Sequence, residues 1–185
     1  MVEKVYKDTK ERMNKAVEAL KKDLSRIRTG RASISLLDGI RVQYYGSQLP
    51  LNQVASIAVP ESRQITVQPW DLKALADIER AILKSELGLT PANDGKIIRI
   101  PIPPLTEERR RELVKVIKKM AEESRVILRN LRREANESLK DLKKEKTIPE
   151  DAFFKAQEEV QKITNQTIEK IDRISEEKEK EILNF

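Results

Sequence analysis

The 185-residue chain contains no cysteine and no histidine. These absences exclude disulfides and thiolate metal sites, and they remove the commonest general bases, nucleophiles and metal ligands. No apolar run approaches the ~18 residues that a membrane-spanning helix needs. The N-terminal stretch MVEKVYKDTKERM is charged throughout, unlike a secretory signal. The sequence therefore predicts a cytoplasmic protein without membrane association, catalytic activity, metal or cofactor.

Charge is abundant but unevenly distributed, with an overall net charge of +6. Residues 1–30 carry 9 basic and 5 acidic groups, and residues 105–146 carry 14 basic and 9 acidic groups. Residues 147–185 reverse this balance, with 6 basic and 10 acidic groups. Separation of basic from acidic segments favours an oriented polyanionic partner over general stickiness.

Three segments show the hydrophobic periodicity of long amphipathic helices. The first occupies about thirty residues and ends at Thr29-Gly30, where glycine suits a left-handed cap. The second begins after Thr106, a good N-cap, and the third follows Pro149. The apolar seam of the second helix is predicted to comprise Leu113, Ile117, Met120, Ser124, Ile127, Leu131, Ala135, Ser138 and Leu142. Such narrow seams need partner helices, so the pattern predicts a three-helix bundle.

The segment 31–104 has a different character, because its apolar residues alternate with period two. Predicted short strands, mostly antiparallel, surround Val42, Val54–Val59, Ile65–Val67 and Ile98–Ile102, and a helix is predicted from Asp71 to about Leu87. We therefore predict an α+β protein of two domains. Residues 1–30 and 105–185 form the discontinuous bundle domain, and residues 31–104 form an inserted α+β domain.

Two chain segments join the predicted domains. One contains Thr29, Gly30 and Arg31, and the other contains Pro103, Pro104 and Leu105. A glycine on one side and stiff, proline-rich chain on the other allow a hinge with limited directions. A rigidly packed junction is equally consistent with these residues.

The most informative stretch is RVILRNLRR, from Arg125 to Arg133. Arg125, Arg129, Arg132 and Arg133 share one helical face at positions i, i+4, i+7 and i+8. Like charges on one face repel, and no carboxylate lies within this stretch, so we expect nothing in the local sequence to neutralise the face. Ordinary solvated arginines are the plain alternative. The consistent use of arginine, whose planar fork matches phosphate, favours a nucleic-acid contact.

Several motifs resemble the ribosome recycling factor family, and the resemblance covers the whole chain. The most specific are IRTGRAS at Ile27–Ser33 and IPPLTEERRREL at Ile102–Leu113. The others are LLDGI, YYG, PLNQVA, ELGLTP, RNLRREAN, VQKIT and the terminal KEKEILNF. The resemblance implies a three-helix bundle and an α+β domain joined by two linkers into an L, similar in outline to a transfer RNA.

The resemblance also implies a function. Members bind the post-termination ribosome between its subunits and act with elongation factor G and GTP to separate them, hydrolysing nothing themselves. Large-subunit ribosomal RNA is expected to contact Arg129, Arg132 and Arg133, with Arg28, Arg31, Arg109 and Arg110 near the hinge as further candidates. The insert is expected to meet elongation factor G and to swing, and the protein is expected to be a monomer. A non-ribosomal helical scaffold and a general RNA chaperone are the alternatives.

Overall fold

The computed structural model describes residues 1–184 and divides them into two compact units. One unit comprises Met1–Ile27 and Glu107–Asn184, and the other comprises Arg28–Thr106. Phe185, the last residue of the predicted bundle domain and of its terminal motif, lies outside the described residues. Within residues 1–184, none of the helices combines the length and the apolar character required to cross a membrane.

The described residues form four α-helices, which are α1 (Val2–Ser25), α2 (Leu75–Lys84), α3 (Glu107–Lys144) and α4 (Glu150–Leu183). Helices α1, α3 and α4 pack against one another in the first unit. Their largest fully buried side chains are Met13, Ile117, Leu128, Leu139, Ile171 and Ile182. The predicted combination of long packed helices with a small antiparallel α+β unit is confirmed.

The predicted core face of α3 is partly wrong. Ile127 is 48% exposed, whereas its neighbour Leu128 is fully buried. The buried positions of α3 are Leu113, Ile117, Ala121, Ser124, Leu128, Leu131, Ala135 and Leu139. Two adjacent apolar residues leave the phase of the helix ambiguous from sequence. The spacing between successive buried residues of α3 is four residues more often than in the predicted seam. Several core positions therefore lie one residue further along the chain than predicted.

The first helix also ends earlier than predicted. Helix α1 stops at Ser25, and Arg26 caps it in a right-handed conformation, so Gly30 is not its cap. The Ser25 hydroxyl donates to the Lys22 carbonyl at 2.6 Å, satisfying one of the open carbonyls at this end. Gly30 does have the expected positive φ, at +78°, but it lies in the following linker.

The second unit contains two antiparallel sheets. Strands β1 (Arg41–Tyr44) and β2 (Ser47–Pro50) form a two-stranded sheet. The strands β3 (Ala55–Glu61), β4 (Gln64–Pro69), β5 (Ala92–Asn93) and β6 (Ile98–Pro101) form the other, in the order β3-β4-β6-β5. The alternation predicts β1, β3, β4 and β6. Strands β2 and β5 are missed, because one contains SQLP and the other has only two residues.

Helix α2 is shorter than the predicted segment from Asp71 to Leu87. Asp71 instead caps a 3₁₀ turn at Leu72–Ala74, and α2 ends where Ser85 becomes extended. The Ser85 hydroxyl donates to the Ile82 carbonyl at 2.5 Å, which occupies an acceptor of the last turn. The buried faces of α2 and the sheets meet in one core that includes Val42, Ile65, Val67, Ile78, Ile82, Ile98 and Ile100.

Candidate functional site

The arginine face of α3 begins at Arg125, whose guanidinium is tied to two carboxylates. Its Nε and Nη2 donate to Asp172 Oδ1 of α4 at 2.9 and 2.6 Å. Its Nη1 donates to Glu122 Oε2 at 3.2 Å. The Arg125 side chain is only 26% exposed. The structure thus makes Arg125 a bridge between α3 and α4, with little of its fork left for an external phosphate.

Glu122 also binds Arg129, because Arg129 Nη2 donates to Glu122 Oε1. The expectation that nothing neutralises the arginine face is therefore wrong at its N-terminal half. Hydrogen bonds from Arg129 and then Arg125 lower the pKa of Glu122 below its usual value. Burial lowers the pKa of Arg125, but the bonds to Asp172 and Glu122 outweigh it and raise that pKa overall.

Arg132 and Arg133 form the C-terminal half of the face and pair with no carboxylate of the described chain. Arg132 Nη1 donates to Gln161 Oε1 at 3.4 Å, and Arg133 Nη1 donates to Asn130 Oδ1 at 3.5 Å. Both distances are at the outer limit for a hydrogen bond, and both acceptors are neutral. These two cations therefore keep most of their donors for an anionic partner.

The two arginines near the start of α3 have different surroundings. Arg109 Nη1 donates to Glu112 Oε2 at 2.9 Å in an exposed ion pair. Arg110 Nη1 donates to the Leu183 carbonyl at 3.3 Å, at the C-terminal end of α4, where a cation satisfies an open carbonyl. Its Nε is buried without a partner within residues 1–184. Arg110 is therefore held at a helix end inside the bundle.

The residues of the predicted hinge all lie in the unit Arg28–Thr106. Arg28 Nη1 donates to the Leu87 carbonyl at 3.0 Å. Thr29 and Gly30 are buried, and a Cβ at Gly30 would lie 3.3 Å from Leu105 Cγ. A cavity of about 150 Å³ adjoins these segments, and its lining includes Arg28, Gly30, Arg31, Pro103, Pro104 and Leu105. Both linker segments thus contribute to one local packing arrangement.

Residues 1–184 contain no cluster of three or more metal-ligating side chains. The chemistry that the bundle presents is a row of guanidinium groups, paired with carboxylates at one end and open at the other. This combination, a helical bundle with a partly unpaired row of arginines, has the chemistry suited to an anionic partner.

Comparisons with known proteins agree on one family. A family model described as ribosome recycling factor matches residues 20–183. The ribosome-recycling factor of Desulfatibacillum aliphaticivorans is 58% identical over 185 residues, which cover all of both chains. The solution structure of a ribosome recycling factor is 46% identical with a TM-score of 0.76, covering 100% of this chain and 98% of that one. The chain belongs to the ribosome recycling factor family.

A further solved structure shows a relative with its partners. It contains models of the T. thermophilus ribosome recycling factor and E. coli elongation factor G bound to the E. coli post-termination complex. That recycling factor is 48% identical to this chain with a TM-score of 0.64, and the match covers 99% of each. The resemblance seen in the sequence motifs is confirmed.

Proposed function

We propose that this protein binds the post-termination ribosome through the arginine face of α3, working in the cytoplasm as a monomer. Together with elongation factor G and GTP, it separates the subunits and frees the ribosome for another round of translation. The family membership and the relative bound beside elongation factor G support this proposal. The protein's own part is binding and transmission of force, and hydrolysis belongs to the GTPase.

The contacts of each arginine suggest a division of labour on this face. Arg132 and Arg133 contact ribosomal RNA phosphates directly, because their guanidiniums have only weak, neutral partners. Arg129 joins them by exchanging Glu122 for phosphate. Arg125 contributes positive potential while it holds α3 to α4. These phosphate contacts supply affinity without sequence readout and make the affinity fall with salt.

Arg28, Arg109 and Arg110 serve as secondary contacts in this proposal. Arg28 and Arg110 each donate to a backbone carbonyl, and Arg109 has an ion-pair partner. An arginine that keeps a protein partner retains its charge and part of its fork for a second anion. We therefore expect these three to add electrostatic attraction and to contribute less than Arg132 and Arg133.

Two linkers allow the bundle and the insert to act as grip and lever. We assign the bundle to residues 1–30 and 105–185 and the insert to residues 31–104, with the hinge at Thr29–Arg31 and Pro103–Leu105. Gly30 supplies a positive φ and Pro103 and Pro104 restrict the returning chain. Elongation factor G pushes the insert while the arginine face keeps its hold, so the force reaches the contacts between subunits.

The binding proposal rests on Arg132 and Arg133, which pair with no carboxylate of the described chain. Co-sedimentation with ribosomal subunits tests it. Protein is mixed with large ribosomal subunits in a salt series and pelleted. Binding that is strong at low salt and declines steadily with salt is expected. Arg63→Ala, which removes one exposed arginine from the β3–β4 turn, is the matched control for Arg132→Ala. Failure to sediment at low salt would favour the scaffold alternative, and equal binding to unrelated RNAs would favour the chaperone alternative.

A further inference from the structure

A second basic surface lies in the inserted unit, in a groove between α2 and the two-stranded sheet. The groove has a volume of about 390 Å³. The sheet side contributes Arg41, Gln43 and Gln48, and α2 contributes Arg80 and Lys84. Gln43 and Gln48 are directly opposed in the register of β1 and β2, so they project from the same face of the sheet. The groove therefore combines three cations with two amide side chains.

The cations of this groove are poorly satisfied within the protein. The side chains of Arg41 and Lys84 are exposed and make no hydrogen bond or ion pair within residues 1–184. Arg80 is 3.7 Å from Asp77, the one acidic residue in the lining, and this exposed pair holds Arg80 only weakly. The groove thus keeps a net positive charge and open donors, which are the groups that bind phosphate oxygens.

An exposed aromatic ring stands at the end of the groove. Tyr45 is 76% exposed and lines the groove. Its hydroxyl donates to Asp71 Oδ2 at 3.3 Å, and its ring meets Tyr44 edge-on with centroids 4.5 Å apart. These contacts fix the direction of the ring and leave it open to solvent. A fixed aromatic face beside a cationic groove is the arrangement that stacks a nucleic-acid base.

The backbone gives an independent reason to assign Tyr45 a function. Tyr45 and Gly46 form the two-residue turn between β1 and β2, and both have positive φ, at 47° and 78°. A turn of this type favours asparagine or glycine at its first position, and tyrosine is strained there. A bulky residue in a strained and exposed position points to a use outside folding.

We propose that this groove binds single-stranded RNA, with Arg41, Arg80 and Lys84 on the phosphates and Tyr45 stacked on one base. The proposal concerns the inserted unit alone and goes beyond the arginine face of α3. The groove volume of about 390 Å³ is of the size that one nucleotide can occupy. Exposed aromatic area beside the cations also favours a base over an acidic side chain.

The test measures binding of a single-stranded oligouridylate to the full chain in which Arg129, Arg132 and Arg133 are replaced by glutamine. That background removes the α3 face as a competing site. Fluorescence anisotropy of the labelled oligonucleotide gives the affinity. Trp70, the only tryptophan of the chain, is exposed and precedes Asp71, which accepts from the Tyr45 hydroxyl, so its emission is a second readout.

Three variants in that background separate the contributions of the groove. Tyr45→Asn should weaken binding by about fivefold or more through loss of stacking, yet melt no lower, because asparagine suits the turn. Tyr45→Phe loses the hydroxyl bond to Asp71 but keeps the ring and its edge contact with Tyr44, so it should bind much more tightly than Tyr45→Asn. Arg41→Gln combined with Lys84→Gln should reduce the slope of log affinity against log salt by about 1.4, the value for two lost contacts on a single strand.

Two outcomes would overturn the proposal. One is unchanged binding in Tyr45→Asn and in the Arg41/Lys84 double variant. The other is displacement of the oligonucleotide by oligoglutamate at equal concentration, which would assign the groove to an acidic peptide. Both measurements are made without the arginines of the α3 face, so neither outcome depends on that face. Failure of ribosome co-sedimentation by the parent protein would instead count against the proposed function, so the two failures are distinguishable.

Discussion

Replacement of Arg132 by alanine separates ribosome binding from stability. Within residues 1–184, the Arg132 side chain makes one hydrogen bond, to Gln161 Oε1 at 3.4 Å, so truncation removes little that holds the bundle together. We expect a melting temperature close to that of the parent protein. If its guanidinium contacts a phosphate, the lost charge-assisted hydrogen bonds cost about 1.5–3 kcal/mol of binding free energy. That corresponds to a loss of roughly 10- to 150-fold in affinity.

Arg125→Ala is the matched comparison on the same face. Arg125 joins Asp172 and Glu122, and removing it leaves Asp172 without its cation and Glu122 with Arg129 alone. We therefore expect Arg125→Ala to lower the melting temperature more than Arg132→Ala does. We also expect Arg125→Ala to weaken binding to the large subunit less than Arg132→Ala does. Thermal unfolding and salt-dependent co-sedimentation with large subunits measure the two effects. An Arg132→Ala protein that binds normally but unfolds early would refute the assignment.

The remaining predictions concern the core, the ion pair and the linker. Leu128→Ala should cost about 2–5 kcal/mol in urea unfolding, and Ile127→Ala less than about 1 kcal/mol, since only Leu128 is buried; the reverse order would mean that the helix phase is wrong. Glu122→Gln should increase affinity for the large subunit a few-fold, because a carboxylate that competes with phosphate is removed; unchanged or lower affinity would argue against that competition. The pKa of Glu122 is lowered from 4.5 in the folded protein, so the ionised carboxylate stabilises the fold above pH 4.5, and this stabilisation is lost as the pH falls through the folded-state pKa. The melting temperatures of the parent protein and of Glu122→Gln should therefore converge in acid. Gly30→Ala places a side chain at φ +78° and 3.3 Å from Leu105, so it should destabilise by about 1–2 kcal/mol and slow subunit splitting without weakening large-subunit binding; a stable variant with normal splitting would contradict the hinge.

The sequence predicts the architecture well because two periodicities dominate it. The apolar residues of α1, α3 and α4 recur at helical spacing, and those of β1, β3, β4 and β6 alternate. Errors occur where the local pattern is ambiguous. Ile127 and Leu128 are both apolar, and only the packing of three helices decides which is buried. The end of α1 depends on the Ser25 hydroxyl, which competes for a terminal carbonyl.

The sequence predicts that the arginines share one face of α3, but it only partly predicts which carboxylates pair with them. Glu122 lies three residues before Arg125 and seven before Arg129, a spacing that the sequence displays. Asp172 lies 47 residues from Arg125, and nothing local in the sequence pairs them. The groove in the insert was also missed, because its cations come from β1 and α2 and meet only after folding.

Light scattering follows the dissociation of post-termination ribosomes and tests whether this protein and elongation factor G separate the subunits together. Ribosomes are mixed with this protein, elongation factor G and GTP, and each component is omitted in turn. We expect rapid splitting only with all three, and markedly slower splitting with Arg132→Ala but not with Arg63→Ala. Splitting that proceeds equally without this protein, or without elongation factor G and GTP, would show that the proposed function is wrong.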